Sequence, residues 1–372
     1  MLAGHTDRPV NVTVKWDGAP AVFAGIDPTD GKFFVAKKGI FNKDPKVYKT
    51  PQDISDDIPN AELAGKMLVA LTELAKLGIK GVVQGDMMFT NGSGSKDLKK
   101  ESIDGEDYIT FHPNTIAYAV PAKSEEAKKL LKSKIGVVWH TTYNGNSFES
   151  MKASFGVDTG KFRKIPSVWS KNAGLQNVSG TVNLTKAETA EVTRAVSDAG
   201  KIFSKVQSGI LKDVQTGELN KYINIFVNTF IRRGQAIDPK KAVSEFRKFM
   251  EDRFDKEIDK RKSEPGKDKQ REIKQREIKF FSRYPMKELE QLFALHQAIV
   301  KAKMLLVKKL SNLERMSTFV KTKNGFKVTG HEGFVAIDKL TGGAWKLVDR
   351  LEFSANNFSP DIIKGFDLKG SR

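Results

Sequence analysis

Residues 12–23 read VTVKWDGAPAVF. Val12 to Val14 alternate as a half-buried strand does, and a second apolar run starts at Ala21. Between them stand a cation, Lys15, a carboxylate, Asp17, and the turn formers Gly18 and Pro20. Alone, the stretch allows an ordinary strand-end lysine beside a turn as readily as a chemical site. A lysine amine is a nucleophile only when neutral, and burial or neighbouring cations favour that form. An amine attacking a phosphate also needs the anion screened by a divalent cation and further lysines. A chemical reading of Lys15 therefore requires carboxylates, more cations and an aromatic surface for a base.

The chain offers such residues on strand-like segments. Lys37, Lys38 and Gly39 end one apolar run, Asp86 lies in QGDMMF (84–89), and Phe111 lies in ITFHPN (109–114). Glu332 and Gly333 open EGFVAID, and Lys346 and Arg350 lie in AWKLVDR (344–350). Each also has a plain structural reading. Phe111 suits a core, Asp86 and Glu332 suit a solvated surface, and Asp17-Gly18 suits a turn.

Residues 10–38 read as strands, and 60–77 as a helix stopped by Gly78. Residues 81–89, 108–120 and 135–143 read as strands, with a short helix over about 124–133. The polar stretch 90–107 reads as a mobile loop. Thr185 to Glu188 has the capping-box pattern, Asp238-Pro239 opens a second helix, and Met286–Met316 carries a third. The charged stretch 259–279 reads as a solvated helical hairpin tip or mobile arm, or more sharply as a nucleic-acid clamp. Strands return at 317, with Asn324-Gly325 as a hairpin turn. The expected fold class is α+β: an antiparallel-sheet domain over 1–183 and 317–372, interrupted by an all-helical insertion over 184–316.

The 372 residues carry a formal net charge of +18, which favours a polyanionic partner, nucleic acid before anionic membrane. There is no cysteine, which excludes disulfides, thiolate zinc sites and a cysteine nucleophile and fits a reducing cytoplasm. The five histidines show no metal-ligand spacing, and no apolar stretch is long enough to span a bilayer.

Six segments in order, KWDG, AKKG, QGDMMF, ITFHPN, HEGFVAID and AWKLVDR, resemble the motifs of the covalent nucleotidyltransferase superfamily. That superfamily holds ATP-dependent DNA ligases, RNA ligases and capping guanylyltransferases. The resemblance covers roughly residues 10–120 and 317–354, and the minimal architecture looks like compact phage ligases. It implies that Lys15 attacks the α-phosphate of ATP and becomes a lysyl-AMP, with Lys346 contacting that phosphate. It also implies that Asp17 and Gly18 shape the adjacent loop and that Lys38 or Lys37 contacts ribose or a strand's 5′-phosphate. Asp86 would contact ribose, Phe111 would stack on adenine, and Glu332 would hold Mg2+ or Mn2+. The implied partner is nucleic acid with 5′-phosphate and 3′-hydroxyl ends, DNA or RNA, with no membrane and a monomeric enzyme in the cytoplasm (the host's, if viral).

The sequence departs from the pattern in places. Asp86 stands where the motif has glutamate. Val348 stands where the last motif has a second lysine, and Arg350 is expected to compensate from the same strand face. Fourteen residues precede Lys15, so a shortened or compact N-terminus is expected. Twenty-two follow Arg350, so no OB-fold domain is expected and the helical insertion would supply the clamp. A GTP-using capping enzyme and a catalytically inactive nucleic-acid-binding protein are the alternative readings.

Overall fold

The computed structural model describes residues 11–92, 95–174, 184–312, 316–337 and 344–369. In chain order the first part holds β1 (Asn11–Lys15), β2 (Ala21–Ile26), β3 (Phe33–Ala36), β4 (Val47–Tyr48), α1 (Pro51–Asp57) and α2 (Ala61–Leu74). It continues through β5 (Val82–Gly92), β6 (Ser95–Lys96), β7 (Lys99–Ile103), β8 (Glu106–Phe111), β9 (Ala117–Pro121) and α3 (Glu125–Lys132). It closes with β10 (Ile135–Asn144), β11 (Lys152–Phe155) and β12 (Val168–Asn172). A helical stretch follows: α4 (Lys186–Phe203), α5 (Ser208–Gln215), α6 (Glu218–Arg232), α7 (Pro239–Asp259), α8 (Glu264–Ser282) and α9 (Met286–Ser311). Last come β13 (Ser317–Thr322), β14 (Gly325–Val328), β15 (Gly333–Ile337), β16 (Ala344–Val348), α10 (Ala355–Phe358) and β17 (Ile362–Ile363).

The protein is α+β with largely antiparallel sheets. One sheet has the order β11-β10-β5-β2-β3-β4, with β12 and β6 pairing β10 and β5. A second runs β14-β13-β9-β8-β7, with β17 on β13, and a third is β1-β15-β16. Only the β10–β12 pairing is parallel among those described. Strands from the two ends of the chain thus share sheets: Lys15 faces Gly333 across β1–β15, and Phe319 faces Ala117 across β9–β13.

Period-two patterning sets the layers. Val22, Ala24, Val35, Val83, Met87 and Trp139 bury one face of the largest sheet under Ile54, Met67, Ala70 and Leu74 of α1 and α2. Between the sheets, Val12, Val14, Phe111, Tyr118, Phe334 and Leu347 pack with Val307 and Leu310 of α9. The helices have their own cluster, centred on Phe226, Phe246, Phe281 and Phe293.

Caps fix the helix starts as their residues require. The Thr185 hydroxyl accepts from Glu188 N at 3.2 Å while the Glu188 carboxylate accepts from Thr185 N at 2.7 Å. Asp238 accepts from Lys240 N at 3.0 Å with Pro239 behind it. The stretch 90–107, expected as a loop, instead extends β5 and forms β6 and β7. Asp104 and Gly105, at φ of 51° and 84°, make the tight turn that returns β7 onto β8. Asp-Gly at that spot is a hairpin signal that the surrounding polarity concealed. The charged stretch 259–279 forms the turn between α7 and α8 and most of α8, with Ser263 capping and Pro265 in the first turn.

Candidate functional site

Lys15 closes β1, and three neighbouring residues have separate jobs. Trp16 turns into the core, stacked on Tyr118 with ring centres 4.9 Å apart. Asp17 is only 4% exposed. Its carboxylate accepts from Thr115 N at 2.7 Å, Ile116 N at 2.8 Å and Asn114 Nδ2 at 2.8 Å. Its own N–H donates to the Tyr118 hydroxyl at 2.7 Å. Burial pushes the Asp17 carboxyl up, and these hydrogen bonds oppose that shift. Asp17 therefore clamps the turn to the 114–116 loop.

Gly18 lets the turn pass over β5. A Cβ there would lie 2.6 Å from Asp86 Cβ and 2.9 Å from Met88 Sδ, so any side chain would displace the site. Ala19 N donates to Met87 O and Met87 N donates to Pro20 O, both at 3.0 Å, which fixes the turn on β5. Lys15 and Asp86 are thereby held beside each other by backbone.

Cross-strand registry explains what else arrives. Thr13 faces Val335, which faces Lys346, so Lys15 and Lys346 project from the same face of the three-stranded sheet. The opposite face carries Val12, Val14, Phe334 and Leu347 toward α9. Glu332, just before β15, forms a close ion pair with the Lys15 amine, and the two side chains are 13% and 30% exposed. Burial pushes the Glu332 carboxyl up, while Lys15 and, more weakly, Lys346 pull it down.

On β5, Asp86 is pushed up to about 7, chiefly by burial, with Glu332 and Asp17 adding to the shift and Lys15 and Lys38 opposing it. A carboxyl poised near neutral beside an amine is the kind of perturbed group that functional sites collect. His140 stands opposite. Its Nε2 is 3.7 Å from Asp86 Oδ2, and its Nδ1 is 2.7 Å from Thr141 Oγ1. Burial, then Lys15, lowers its pKa to about 4. The His140 ring is therefore neutral at any pH where Asp86 is ionised, and the pair is a dipolar contact, not an ion pair. His140 sits at a break in register: Trp139 pairs Gly85 and Thr141 pairs Gln84, leaving His140 as the extra residue of a bulge. Such bulges re-aim side chains at functional edges.

Lys15, Lys346, Glu332, Asp86 and Lys38 converge, drawn from five separate segments. Three expectations need correction. Phe111 is 1% exposed, stacked on Tyr118 at 5.4 Å and wedged against Phe89 and Trp169, so neither ring face is open to a base. The aromatic ring beside Asp86 is that of His140. Lys37 is drawn away to Asp57 at 3.5 Å and over the Tyr48 ring, leaving Lys38 as the cation facing the site. Arg350 does not share a strand face with Lys346, because β16 ends at Val348; Arg350 begins the next helical turn and donates to Asn228 of α6.

His140 was missed for a physical reason. The bulge that sets its position depends on pairing with β5, and nothing in the local sequence of β10 marks it. Among the described residues no three His, Asp or Glu groups converge on one point. The acids nearest the Lys15 amine are Glu332 and Asp86, a set of two carboxylates of the kind that holds magnesium when substrate phosphates and water complete its shell.

No helix of the described residues is long and apolar enough to cross a membrane. No curated protein and no solved structure matches the chain. A family model described as "Family of unknown function (DUF6267)" matches residues 1–361, and the chain belongs to that family.

Proposed function

We propose that this chain is an ATP-dependent polynucleotide ligase of the covalent nucleotidyltransferase type, with Lys15 as nucleophile and the helical block inserted into the adenylation domain. The observation that carries the reading is the meeting of Lys15 and Lys346 on one sheet face with the Glu332 and Asp86 carboxylates.

In the first step, the Lys15 amine attacks the α-phosphorus of ATP. An N–P bond forms, the P–O bond to the leaving group breaks, and pyrophosphate departs. The Lys15 ammonium first gives a proton to the Glu332 carboxylate, which already touches Nζ and is raised toward accepting it, and this frees the lone pair for attack; the second proton leaves the nitrogen as the N–P bond forms and departs with the pyrophosphate. Lys346 and Lys38 supply positive charge for the phosphate oxygens. Asp86 and His140 offer a hydrogen-bonding edge and a neutral ring for the nucleoside. A 5′-phosphate then takes the AMP from Lys15, and a 3′-hydroxyl displaces AMP to join the strands. A divalent cation held through the other Glu332 carboxylate oxygen, the one not facing Nζ, would supply Lewis-acid screening of the phosphate.

The test is transfer of label from α-labelled ATP or GTP, with magnesium, to protein run under denaturing conditions. Label from ATP that disappears in Lys15→Ala supports the proposal. Label from GTP alone assigns capping chemistry, and no label from either, with magnesium or manganese, defeats both.

A further inference from the structure

The face of the largest sheet that carries Asp86 continues away from Lys15 as an aromatic surface. On β5, Val82 and Gln84 share that face with Asp86. Registry brings Phe23 of β2 opposite Gln84, and Thr141 and Tyr143 of β10 opposite Gln84 and Val82. Thr141 in turn faces Phe155 of the edge strand β11. The helical turn Lys38–Phe41 folds onto this surface, anchored by buried Ile40 in the cluster of Phe23, Phe34 and Phe148. The Phe41 ring then lies 5.4 Å from the Phe23 ring and 4.9 Å from that of Tyr143. Tyr143 is fixed by its hydroxyl, which donates to Gln84 Oε1 at 2.7 Å. With that oxygen engaged, the Gln84 amide nitrogen meets no acceptor among the described residues.

Two of these rings are open to solvent: Phe41 is 43% and Phe155 38% exposed. A single exposed phenylalanine is ordinary. These two flank Tyr143, with Phe41 in ring contact on one side and Phe155 diagonal to it across β10–β11, a spacing aromatic side chains span. His140, bonded to Thr141 and 3.7 Å from Asp86, joins this row to the candidate site. Charge adds to the pattern. Residues 37–46 carry four lysines and one acid, Asp44. Lys37 and Lys46 pair with Asp57, whereas Lys38 and Lys43 make no ion pair among the described residues. Open rings beside unpaired lysines suit a ligand with flat apolar rings on an anionic backbone, which is the chemistry of a single-stranded polynucleotide.

We propose that Phe41, Tyr143 and Phe155 form a stacking platform for unpaired bases of the strand brought to Lys15, so that the substrate class is a single-stranded end and not a nicked duplex. The assignment deepens the ligase reading and rests on it for the strand's role. Bases in a duplex are already stacked and paired, so a nick offers none to the rings. In an unpaired end each base has a free face for a ring and an edge acceptor for the Gln84 amide nitrogen. Lys38, on the same turn as Phe41, keeps its charge beside the strand's phosphates.

The test uses the full chain. Binding to a 5′-phosphorylated single strand and to a nicked duplex of the same sequence is measured across a salt series for native protein, Phe41→Leu and Phe41→Tyr. At about 0.15 M salt the native protein should hold the single strand more tightly. Phe41→Leu should weaken single-strand binding about 5- to 150-fold for one base unstacked. The slope of log K against log salt should stay unchanged, because no phosphate contact is lost. Phe41→Tyr should keep native affinity; a loss that it shares marks a packing role and overturns the platform. Phe155→Leu, read the same way, serves if Phe41→Leu fails to fold. Native-like single-strand affinity in the folded leucine variants overturns the platform while leaving the ligase reading intact, as does a native preference for the nicked duplex. A KM for ATP in label transfer that rises while strand affinity holds assigns the rings to adenine and also overturns it. Native protein that takes no label from ATP or GTP, yet loses single-strand affinity through Phe41→Leu, keeps the platform and defeats the ligase reading alone.

Discussion

Asp86 concentrates the residue-scale chemistry. Its carboxyl titrates near 7 in the folded chain against 3.8 for an unburied aspartate. Between those values the folded state holds a proton that the unfolded state has lost. Its contribution to stability is therefore full below about pH 4 and declines as pH rises toward 7, by on the order of a few kcal/mol. His140 works in the opposite direction: its ring titrates near 4 when folded and near 6.5 when free, so its burial favours the fold increasingly over that interval. Asp86→Asn removes the first effect and leaves the second. Urea unfolding at pH 5 and pH 8 should show the variant gaining on the native protein at the higher pH; a constant difference would refute the elevated carboxyl. Gly18 was legible as a turn residue, but its reason was not. Only the path of β5 beneath it shows that an added methyl would strike Asp86 and Met88. Phe111 illustrates the reverse: an aromatic residue in a strand carries no mark of which face it takes. The plain core reading of it matches its position, and the stacking role does not.

At the element scale, the strand that carries Lys15 depends on one turn. The buried Asp17 carboxylate ties that turn to the amides of Thr115 and Ile116. Asp17→Ala leaves two buried N–H groups unmatched, each costing about 1–3 kcal/mol. A drop in the denaturation midpoint is expected, along with reduced label transfer to Lys15; a variant of native stability would show the clamp to be dispensable. Strand identities, helix caps and the Asn324-Gly325 turn were readable because they follow from local chemistry. Pairings such as β1 with β15, more than 300 residues apart in sequence, were not. They depend on which apolar faces meet, and that is decided only when α9 packs under both strands. The bulge at His140 belongs to the same class: its register is set by β5, not by β10.

For the whole molecule, the two clusters joined by α9 suggest a division of labour that core substitutions can separate. Phe246 is fully buried among Phe226, Phe281 and Phe293 in the helical cluster. Leu310 is fully buried in the cluster that also holds Val14, next to Lys15, and Phe334, two residues beyond Glu332. Truncating either to alanine should cost about 2–5 kcal/mol, because a close-packed cavity collapses only in part. The consequences should differ. Phe246→Ala loosens the helical block proposed to clamp the strand, so strand affinity should fall while label still transfers from ATP to Lys15. Leu310→Ala loosens the support of β1 and β15 themselves, so label transfer should fall as well. Removing the helical stretch outright would be a poor test, since it takes Val307 and Leu310 from the core beneath the lysine. Equal losses of label transfer in the two variants would mean that the clusters act as one unit, with the helices supporting the chemistry directly.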